Sequence, residues 1–176
     1  MATILETPRL VLREMTFGDL DFLAELLADP EVMRYYPKPF DRRGSEGWLR
    51  RQLDRYDSHG YGFWLALDRA TGVPRGQAGL IPPRGIEGAD ETEIGYLVRP
   101  AFWRQGLATE AAAACRDYAF DVLGRPRVIC LIRPENTPSQ GVARKIGLSP
   151  GGLRVEFNGF EHLVFSQDRG GRFGLS

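Results

Sequence analysis

Cysteine and histidine are scarce in this sequence, and their scarcity excludes several kinds of site. Among 176 residues there are two cysteines, Cys115 and Cys130, and two histidines, His59 and His162. The cysteines are not spaced as Cys-x-x-Cys and the histidines stand alone, so we expect neither a disulfide framework nor a bound metal. Both cysteines fall in apolar segments, which predicts reduced core residues and a cytoplasmic protein.

The sequence also lacks an excess of charge of either sign and any long apolar run. Lys and Arg together number 23, as do Asp and Glu. Such a balance does not favour nucleic acid or a membrane surface as a partner. No apolar run approaches the ~18 residues of a membrane span. Charges at Glu6, Arg9 and Arg13 argue against a signal peptide. We therefore expect no nucleic-acid partner and no membrane partner.

The sequence does contain the apolar and charged residues that a globular domain needs. Its 176 residues are 43% hydrophobic and 26% charged, which fits one domain with a packed core. Apolar periodicity extends to residue 166, and residues 167–176 lack it. We predict a single domain over residues 1–166 and a flexible tail over residues 167–176, in a monomer or a homodimer.

Hydrophobic periodicity and turn residues predict a mixed α/β fold. A strand at 10–15 precedes a helix that begins at Asp19, a Pro-bounded aromatic loop at 32–40 and a second helix capped by Ser45. We expect residues 82–90 to form another loop. The other predicted elements are strands at 63–67, 76–81 and 91–99, a helix at 107–122, a strand at 128–132, a short helix near Pro138, and a final hairpin of 153–157 and 161–166 around Asn158-Gly159.

A strand that stops at Pro100, a turn with Gly106 and a long helix together predict an anion site. The first-turn amides of a helix point outward and its dipole adds partial positive charge, which suits a phosphate group. Gly106 has no Cβ, so a phosphate can approach the main chain there. The predicted phosphate-binding positions are Arg104, Gln105, Gly106, Leu107, Ala108 and Thr109. No Gly-x-x-x-x-Gly-Lys run is present, and no Gly-x-Gly-x-x-Gly run follows a strand, which argues against a P-loop or a dinucleotide fingerprint.

Residues 102–111 read Phe-Trp-Arg-Gln-Gly-Leu-Ala-Thr-Glu-Ala. This segment resembles the pyrophosphate loop of the GNAT superfamily of acyl-CoA N-acyltransferases, which reads Arg/Gln-x-x-Gly-x-Gly/Ala. Gly106 and Ala108 match its last two fixed positions, and Trp103 stands where the family often has Arg or Gln. An aromatic residue there, followed by Ala-Thr-Glu-Ala, is similar to the branch that acetylates ribosomal-protein N-termini, the Rim type. Asn136 and Ser139, followed by Gly-Leu where the family has Gly-Phe, match a second family pattern.

The resemblance implies a fold and a reaction. The implied fold is a mixed, mostly antiparallel seven-stranded sheet with about four helices, in which the fourth and fifth strands splay apart. On this sequence those strands are Glu91–Arg99 and Val128–Ile132, with the pantetheine arm of acetyl-CoA between them. Val98, Asn136 and Ser139 are expected to contact that arm. The implied reaction moves an acetyl group from acetyl-CoA to a primary amine by direct attack in a ternary complex, because no cysteine is placed as a covalent nucleophile.

The resemblance also implies which residues take part in the chemistry. The family stabilises the oxyanion with a main-chain N–H near a bulge in the fourth strand, which matches Leu97 and Val98. Glu93 is the leading candidate for the base that takes the amine's proton, with a solvated strand-end acid as the alternative. Many members protonate the leaving thiolate with a Tyr at the position of Ala143. We expect Ser139 to replace that Tyr, with a helix-start residue as the alternative.

The acceptor is expected to bind near Tyr35 and Tyr36, because the family places its acceptor against the first two helices. Four acids precede the presumed reaction centre: Glu87, Asp90, Glu91 and Glu93. Their charge favours a cationic acceptor, so we predict a small-molecule amine or a peptide N-terminus, with Glu91 acting on its charge. Two alternatives stay open, namely a non-catalytic acyl-CoA-binding module and a protein that holds a free nucleotide diphosphate.

Overall fold

The computed structural model describes residues 3–86 and 88–170, which form strands and helices in a mixed order. Two 3₁₀ turns, Phe17–Asp19 and Pro100–Phe102, precede the first and third helices. Within the described ranges, no helix is both long enough and apolar enough to cross a membrane. The strands and helices are β1 (Thr3–Glu6), β2 (Leu10–Arg13), α1 (Leu20–Ala28), α2 (Arg42–His59), β3 (Phe63–Asp68), β4 (Pro74–Ile86), β5 (Ala89–Val98), α3 (Leu107–Asp121), β6 (Arg127–Ile132), α4 (Thr137–Lys145), β7 (Ser149–Phe157) and β8 (Phe160–Asp168).

The eight strands of the described residues form one sheet, in the order β1-β2-β3-β4-β5-β6-β8-β7. Neighbouring strands are antiparallel except β5 and β6, which run parallel. This arrangement confirms the predicted fold class, the mostly antiparallel sheet and the four helices. The predicted count of seven strands was too low, because β1 is only four residues long and shows too little periodicity to be detected.

Strands β5 and β6 splay apart soon after they meet. Their parallel pairing consists of Thr92 with Val128 and Glu93 with Ile129 among the described residues. Beyond Glu93, β5 keeps its pairing with β4 as far as Val98, while β6 keeps its pairing with β8 as far as Ile132. A gap therefore opens in the middle of the sheet, at the place where the resemblance implied one.

Alternation along β5 sends its side chains into two different layers. Ile94 is buried with Ala111 of α3, and Tyr96 packs against the same cluster. Leu97 is instead buried with Leu26 of α1. Helices α3 and α4 thus cover one face of the sheet near the gap, and α1 and α2 cover the other.

Helix α2 begins three residues before the predicted cap at Ser45. Asp41 is the N-cap, and its carboxylate accepts a hydrogen bond of 2.7 Å from the amide of Gly44. Ser45 is buried inside the first turn, where its hydroxyl donates to the carbonyl of Asp41. The prediction was wrong because the first turn is polar and carries Gly44, which conceals the true start.

Residues 82–90, predicted as a loop, lie mostly in strands β4 and β5. The two adjacent prolines fall where the register of this pair shifts, between Ile81 and Arg84. A strand tolerates proline at such an irregularity, because no ladder hydrogen bond is lost there. Glu87, one of the four acids in the predicted cluster, lies outside the described residues.

The C-terminal hairpin of β7 and β8 confirms the predicted turn at Asn158-Gly159. Both turn residues have positive φ, 52° and 78°, as a type I′ turn requires. Strand β8 includes residues 167 and 168, where the tail was predicted to begin, and Asp168 pairs with Arg127 of β6. Residues 171–176 of that predicted tail lie outside the described residues.

A substitution at Gly95 of β5 tests the packing of the sheet beside the gap. A Cβ on Gly95 would overlap the ring of Phe63. We expect Gly95→Ala to lower the free energy of unfolding by about 1–3 kcal/mol, because a buried ring must move. Gly47→Ala in α2 is the matched control, since its Cβ would lie 3.7 Å from the Arg51 guanidinium, and we expect a gain of about 0.5–1 kcal/mol. Urea unfolding measures both, and equal effects of the two changes would contradict this account of Gly95.

Candidate active site

The gap between β5 and β6 opens into a cavity of about 690 Å³. Its walls come from the α1–α2 loop, β5, the start of α3, the end of β6, the start of α4 and the β7–β8 hairpin. The structure brings most of the residues that the sequence analysis singled out to this one cavity. These residues are Tyr35, Tyr36, Glu93, Leu97, Val98, Arg104, Gly106, Leu107, Ala108, Thr109, Asn136 and Ser139.

Two predicted site residues do not line the cavity. Glu91 is 7% exposed, and its carboxylate lies 3.6 Å from Nε of Arg127, with which it forms an ion pair between β5 and β6. The structure therefore gives Glu91 a partner within the sheet in place of the predicted contact with the acceptor. Gln105 lines a smaller cavity of about 280 Å³ on the other side of its loop.

The start of α3 has the geometry of an anion site. Gly106 is the N-cap of the helix with φ 77°, and Arg104 also has positive φ, 59°. These two left-handed residues lead the chain into α3, whose first-turn residues line the cavity, and among the described residues no side chain caps the helix. The exposed Arg104 lines the cavity as well, and so does Lys145 at the end of α4, which the sequence analysis missed.

The loop before α3 is held from behind by a contact that the sequence analysis also missed. The carboxylate of Glu110 accepts hydrogen bonds from the Thr7 hydroxyl at 2.6 Å and from the Arg9 amide at 2.8 Å. The Arg9 guanidinium makes two hydrogen bonds of 2.7 Å. Its Nε donates to the Glu110 carboxylate, and its Nη1 donates to the carbonyl of Gln105. Burial raises the pKa of Glu110, but the hydrogen bonds from Thr7 and Arg9 outweigh it and hold that pKa below its ordinary value. The charged Glu110 therefore fixes the loop to the β1–β2 corner.

Trp103 occupies the loop position where the family often has Arg or Gln. Its indole Nε1 donates a hydrogen bond of 2.7 Å to the carbonyl of Val98, the last residue of β5. The ring is 43% exposed and lines the cavity. Trp103 therefore ties the loop to the splayed strand.

Glu93 lies on the face of β5 that α1 and α2 cover. It is 9% exposed, and it shares this face with Leu97 by strand alternation. Tyr36, from the α1–α2 loop, packs against the Leu97 cluster. Burial raises the pKa of Tyr36, and the negative charge of Glu93 raises it further. Tyr36 is therefore a neutral phenol beside a carboxylate at neutral pH.

Ser139 lies on the opposite face, in the first turn of α4. Asn136 is the N-cap of this helix, and its side-chain oxygen accepts a hydrogen bond of 3.2 Å from the Ser139 amide. The Ser139 hydroxyl lies 2.8 Å from the hydroxyl of Tyr96, which the sequence analysis did not name as a site residue. Ala143, at the position of the family's Tyr, is fully buried in the core. Its methyl side chain supplies no hydroxyl to the cavity.

The cavity wall contributed by the β7–β8 hairpin could not be assigned from the sequence. It carries four residues that no motif marks as part of a site: Phe157, Asn158, Phe160 and His162. The Phe157 and His162 rings lie 5.8 Å apart, and the Arg133 guanidinium lies 4.0 Å above the Phe160 ring. These aromatic side chains form the part of the cavity wall that belongs to the hairpin.

Cys130 lines the cavity from β6 but is only 2% exposed. Burial raises the pKa of its thiol, and the nearby Glu93 charge raises it further. A thiol that stays protonated is a poor nucleophile, which is consistent with direct transfer to the amine. Within residues 3–86 and 88–170, no group of three or more His, Cys, Asp or Glu side chains is placed to hold a metal ion.

Comparison with known proteins agrees with this geometry. A family model described as an acetyltransferase (GNAT) domain matches residues 9–149. The uncharacterized protein YkkB of Bacillus subtilis (strain 168) is 39% identical over 147 residues, covering 83% of this chain and 85% of that protein. The spermidine N(1)-acetyltransferase of Escherichia coli (strain K12) is 28% identical over 153 residues, covering 83% of this chain and 76% of that protein. A solved acetyltransferase from Agrobacterium tumefaciens str. C58 has a TM-score of 0.82 and 28% identity, covering 95% of this chain and 94% of that one.

The family match includes the strands and helices that form the gap and the loop before α3. It extends from the β1–β2 corner, which holds that loop, to the first residue of β7. The chain belongs to the GNAT family of acetyltransferases, and it is an N-acetyltransferase that uses acetyl-CoA.

Proposed function

We propose that this N-acetyltransferase uses Glu93 as the base for the acceptor amine and Ser139 as a hydrogen-bond donor to the leaving sulfur. The observation that supports the proposal is the placement of the two groups at one cavity, on opposite sides of β5. Glu93 lies on the side of α1 and α2. Ser139 lies on the side of α3 and α4, beside Tyr96. A group that crosses the gap meets a base on one side and a donor on the other.

The residues around the cavity fit acetyl-CoA. The uncapped amides at the start of α3 suit a pyrophosphate, and Arg104 and Lys145 add two positive charges at the same cavity. Beyond Glu93, the edge of β5 that faces β6 has no strand partner among the described residues. That edge offers main-chain hydrogen-bonding groups to the amides of a pantetheine arm.

When bound, acetyl-CoA supplies a thioester carbonyl that an amine nitrogen can attack. Glu93 takes the proton that the nitrogen loses as its bond to carbon forms. An amide of Leu97 or Val98 donates to the carbonyl oxygen while negative charge develops there. Ser139 donates to the sulfur, which keeps the electron pair of the broken carbon–sulfur bond and takes up a proton to leave as the thiol. Glu93 returns its proton to solvent.

The acceptor side of the cavity favours an amine that carries positive charge. It combines the Glu93 carboxylate with the exposed Glu31 and with the aromatic side chains of Tyr35 and Tyr36. The Arg34 guanidinium, also at this side, lies 5.8 Å from the centre of the Tyr35 ring, which leaves the two carboxylates and Tyr36 to attract the acceptor. A carboxylate attracts an ammonium group, and aromatic faces bind cations as well. We therefore assign a polyamine-like small molecule or a peptide N-terminus as the acceptor class.

Two finer assignments belong to the same proposal. The aromatic Trp103 followed by Ala-Thr-Glu-Ala supports placement near the Rim-type branch, whose acceptors are protein N-termini. The two free and buried cysteines, Cys115 and Cys130, support a reducing compartment such as the cytoplasm.

The phosphate site is tested by a change at Gly106. Gly106→Glu adds a side chain where φ is 77° and places negative charge beside the first-turn amides. We expect the variant to lose the rise in melting temperature that acetyl-CoA gives to the native protein, which follows RT ln(1 + [L]/Kd). Gly124→Glu is the matched control, since Gly124 has φ 64° and its Cβ would meet nothing within 4 Å. If Gly106→Glu keeps the full rise, the phosphates bind elsewhere.

The role of Glu93 is tested by its amide isostere. Glu93→Gln keeps size but cannot accept a proton, so we expect kcat/KM at pH 6.5 to fall about a hundredfold. The loss should shrink as pH rises, because the amine, with a pKa of about 8–10, increasingly arrives deprotonated. Asp90→Asn, an exposed change on the same strand, should follow the native profile. Parallel pH–rate profiles for Glu93→Gln and the native enzyme would remove Glu93 from the mechanism.

The charge of the acceptor is tested with a panel of amines. Spermidine and a peptide with a free N-terminus should be acetylated with kcat/KM at least tenfold above that of aspartate, since its two carboxylates are repelled by Glu93 and Glu31. Release of the free CoA thiol measures each rate. Efficient acetylation of aspartate would contradict the charge argument while leaving the transfer reaction itself intact.

A further inference from the structure

Two hydroxyl groups meet at the α3–α4 side of the cavity. The Tyr96 hydroxyl lies 2.8 Å from Oγ of Ser139 and 3.1 Å from the carbonyl oxygen of the same residue. Both residues line the cavity. The two hydroxyls hold two protons between them, and the positions of these protons decide whether Ser139 can donate into the cavity.

Only one arrangement of the protons makes Ser139 a donor to a bound group. If Ser139 donates to Tyr96, the Tyr96 proton goes to the Ser139 carbonyl and no proton faces the cavity. If Tyr96 donates to Oγ of Ser139, the Ser139 proton turns outward. The two atoms that can accept the Tyr96 proton, Oγ and the carbonyl oxygen of Ser139, lie 2.8 and 3.1 Å from the Tyr96 hydroxyl oxygen. Exchange between the two arrangements therefore requires only rotation of hydroxyl hydrogens.

We propose that Tyr96 is a positioning residue that donates to Oγ of Ser139 and thereby directs the Ser139 proton to the sulfur of CoA. This inference rests on the proposed role of Ser139. It also accounts for the absence of a Tyr at the position of Ala143, because a phenol from β5 reaches the same helix one turn earlier, at Ser139. The hydrogen bonds along such a pair polarise one another, which strengthens donation to the sulfur.

Tyr96 acts by hydrogen bonding and not by giving up its proton. Burial raises the pKa of Tyr96 and nearby Cys130 raises it further, while the hydrogen bond with Ser139 opposes them. The net pKa lies above the ordinary value of tyrosine. The phenol therefore keeps its proton when the sulfur leaves, and the proton that completes the thiol comes from solvent.

The test is the pKa of the CoA thiol bound to the protein, measured from thiolate absorbance during a pH titration of the binary complex. A donor to sulfur favours the thiolate, so the native complex should have a thiol pKa below that of free CoA. Ser139→Ala should raise the bound thiol pKa by roughly one, and Tyr96→Phe by about half as much or more. The double variant should match Ser139→Ala alone, because both changes remove one chain of hydrogen bonds.

The controls separate positioning from packing. Ser139→Thr keeps a hydroxyl and should retain the lowered thiol pKa. Tyr118→Phe removes another half-buried phenol, which packs on Trp64 at 5.2 Å and lies outside the cavity, and it should change nothing. In turnover with acetyl-CoA, Tyr96→Phe should lower kcat roughly three- to tenfold with little change in KM. With a selenoester analogue of acetyl-CoA, the fall in kcat caused by Tyr96→Phe should be smaller. The selenol is a more acidic leaving group, so its departure depends less on a hydrogen-bond donor.

The possible results distinguish this inference from the proposal beneath it. An unchanged thiol pKa in Tyr96→Phe, with a raised pKa in Ser139→Ala, would overturn the role of Tyr96 and leave Ser139 in place. An unchanged pKa in both variants would overturn both roles. A loss of kcat in Tyr96→Phe that is the same for the thioester and the selenoester would show that Tyr96 only packs the cavity.

Discussion

The separation of β5 from β6 is the constraint on which the rest of the structure depends. Each strand stays paired with its neighbour on the other side: β5 pairs with β4 as far as Val98, and β6 pairs with β8 as far as Ile132. Within residues 3–86 and 88–170 they share two register pairs, which join two half-sheets at one end. The cavity, the unpaired edge of β5 and the opposed positions of Glu93 and Ser139 all follow from this single divergence.

The loop before α3 joins the proposed phosphate site to one half-sheet, β1 to β5, at two points. Glu110 and Arg9 fix the loop to the β1–β2 corner at the far end of the sheet order. Trp103 fixes it to the end of β5 through the carbonyl of Val98. Two left-handed residues, Arg104 and Gly106, are thereby held in a conformation that costs free energy at a non-glycine position. The proposed anion site is thus preorganised by contacts within the protein itself.

The sequence predicted those parts of the site that depend on short-range signals. The loop at 102–111 is a continuous segment, and the placement of Glu93 at the cavity follows from strand alternation near a recognisable motif. The contact between Tyr96 and Ser139 joins residues 43 positions apart, and that between Arg9 and Glu110 joins residues 101 apart. No local pattern encodes such contacts.

The expectations for Glu91 and for residues 82–90 reflect the same limit of local patterns. Glu91 looks like a free acid in the sequence, because only the parallel pairing of β5 and β6 brings Arg127 to it. The prolines at 82 and 83 indicate a loop, because the register shift that accommodates them is a property of two strands and not of one. Tertiary pairing overrides local preference in each case.

The cavity wall divides into parts that can change independently. The donor side is built from β5, the start of α3 and α4, whose residues are also core or loop anchors. In the proposed function, the acceptor side includes two segments that line the cavity, the α1–α2 loop and the turn of the β7–β8 hairpin. Exposed residues of these two segments, such as Glu31 and Asn158, can change while the sheet and the proposed phosphate site keep their own contacts. Descendants of one such gene can therefore acquire new acceptors without first losing their acetyl donor, and this separation gives an evolutionary route from one amine to another.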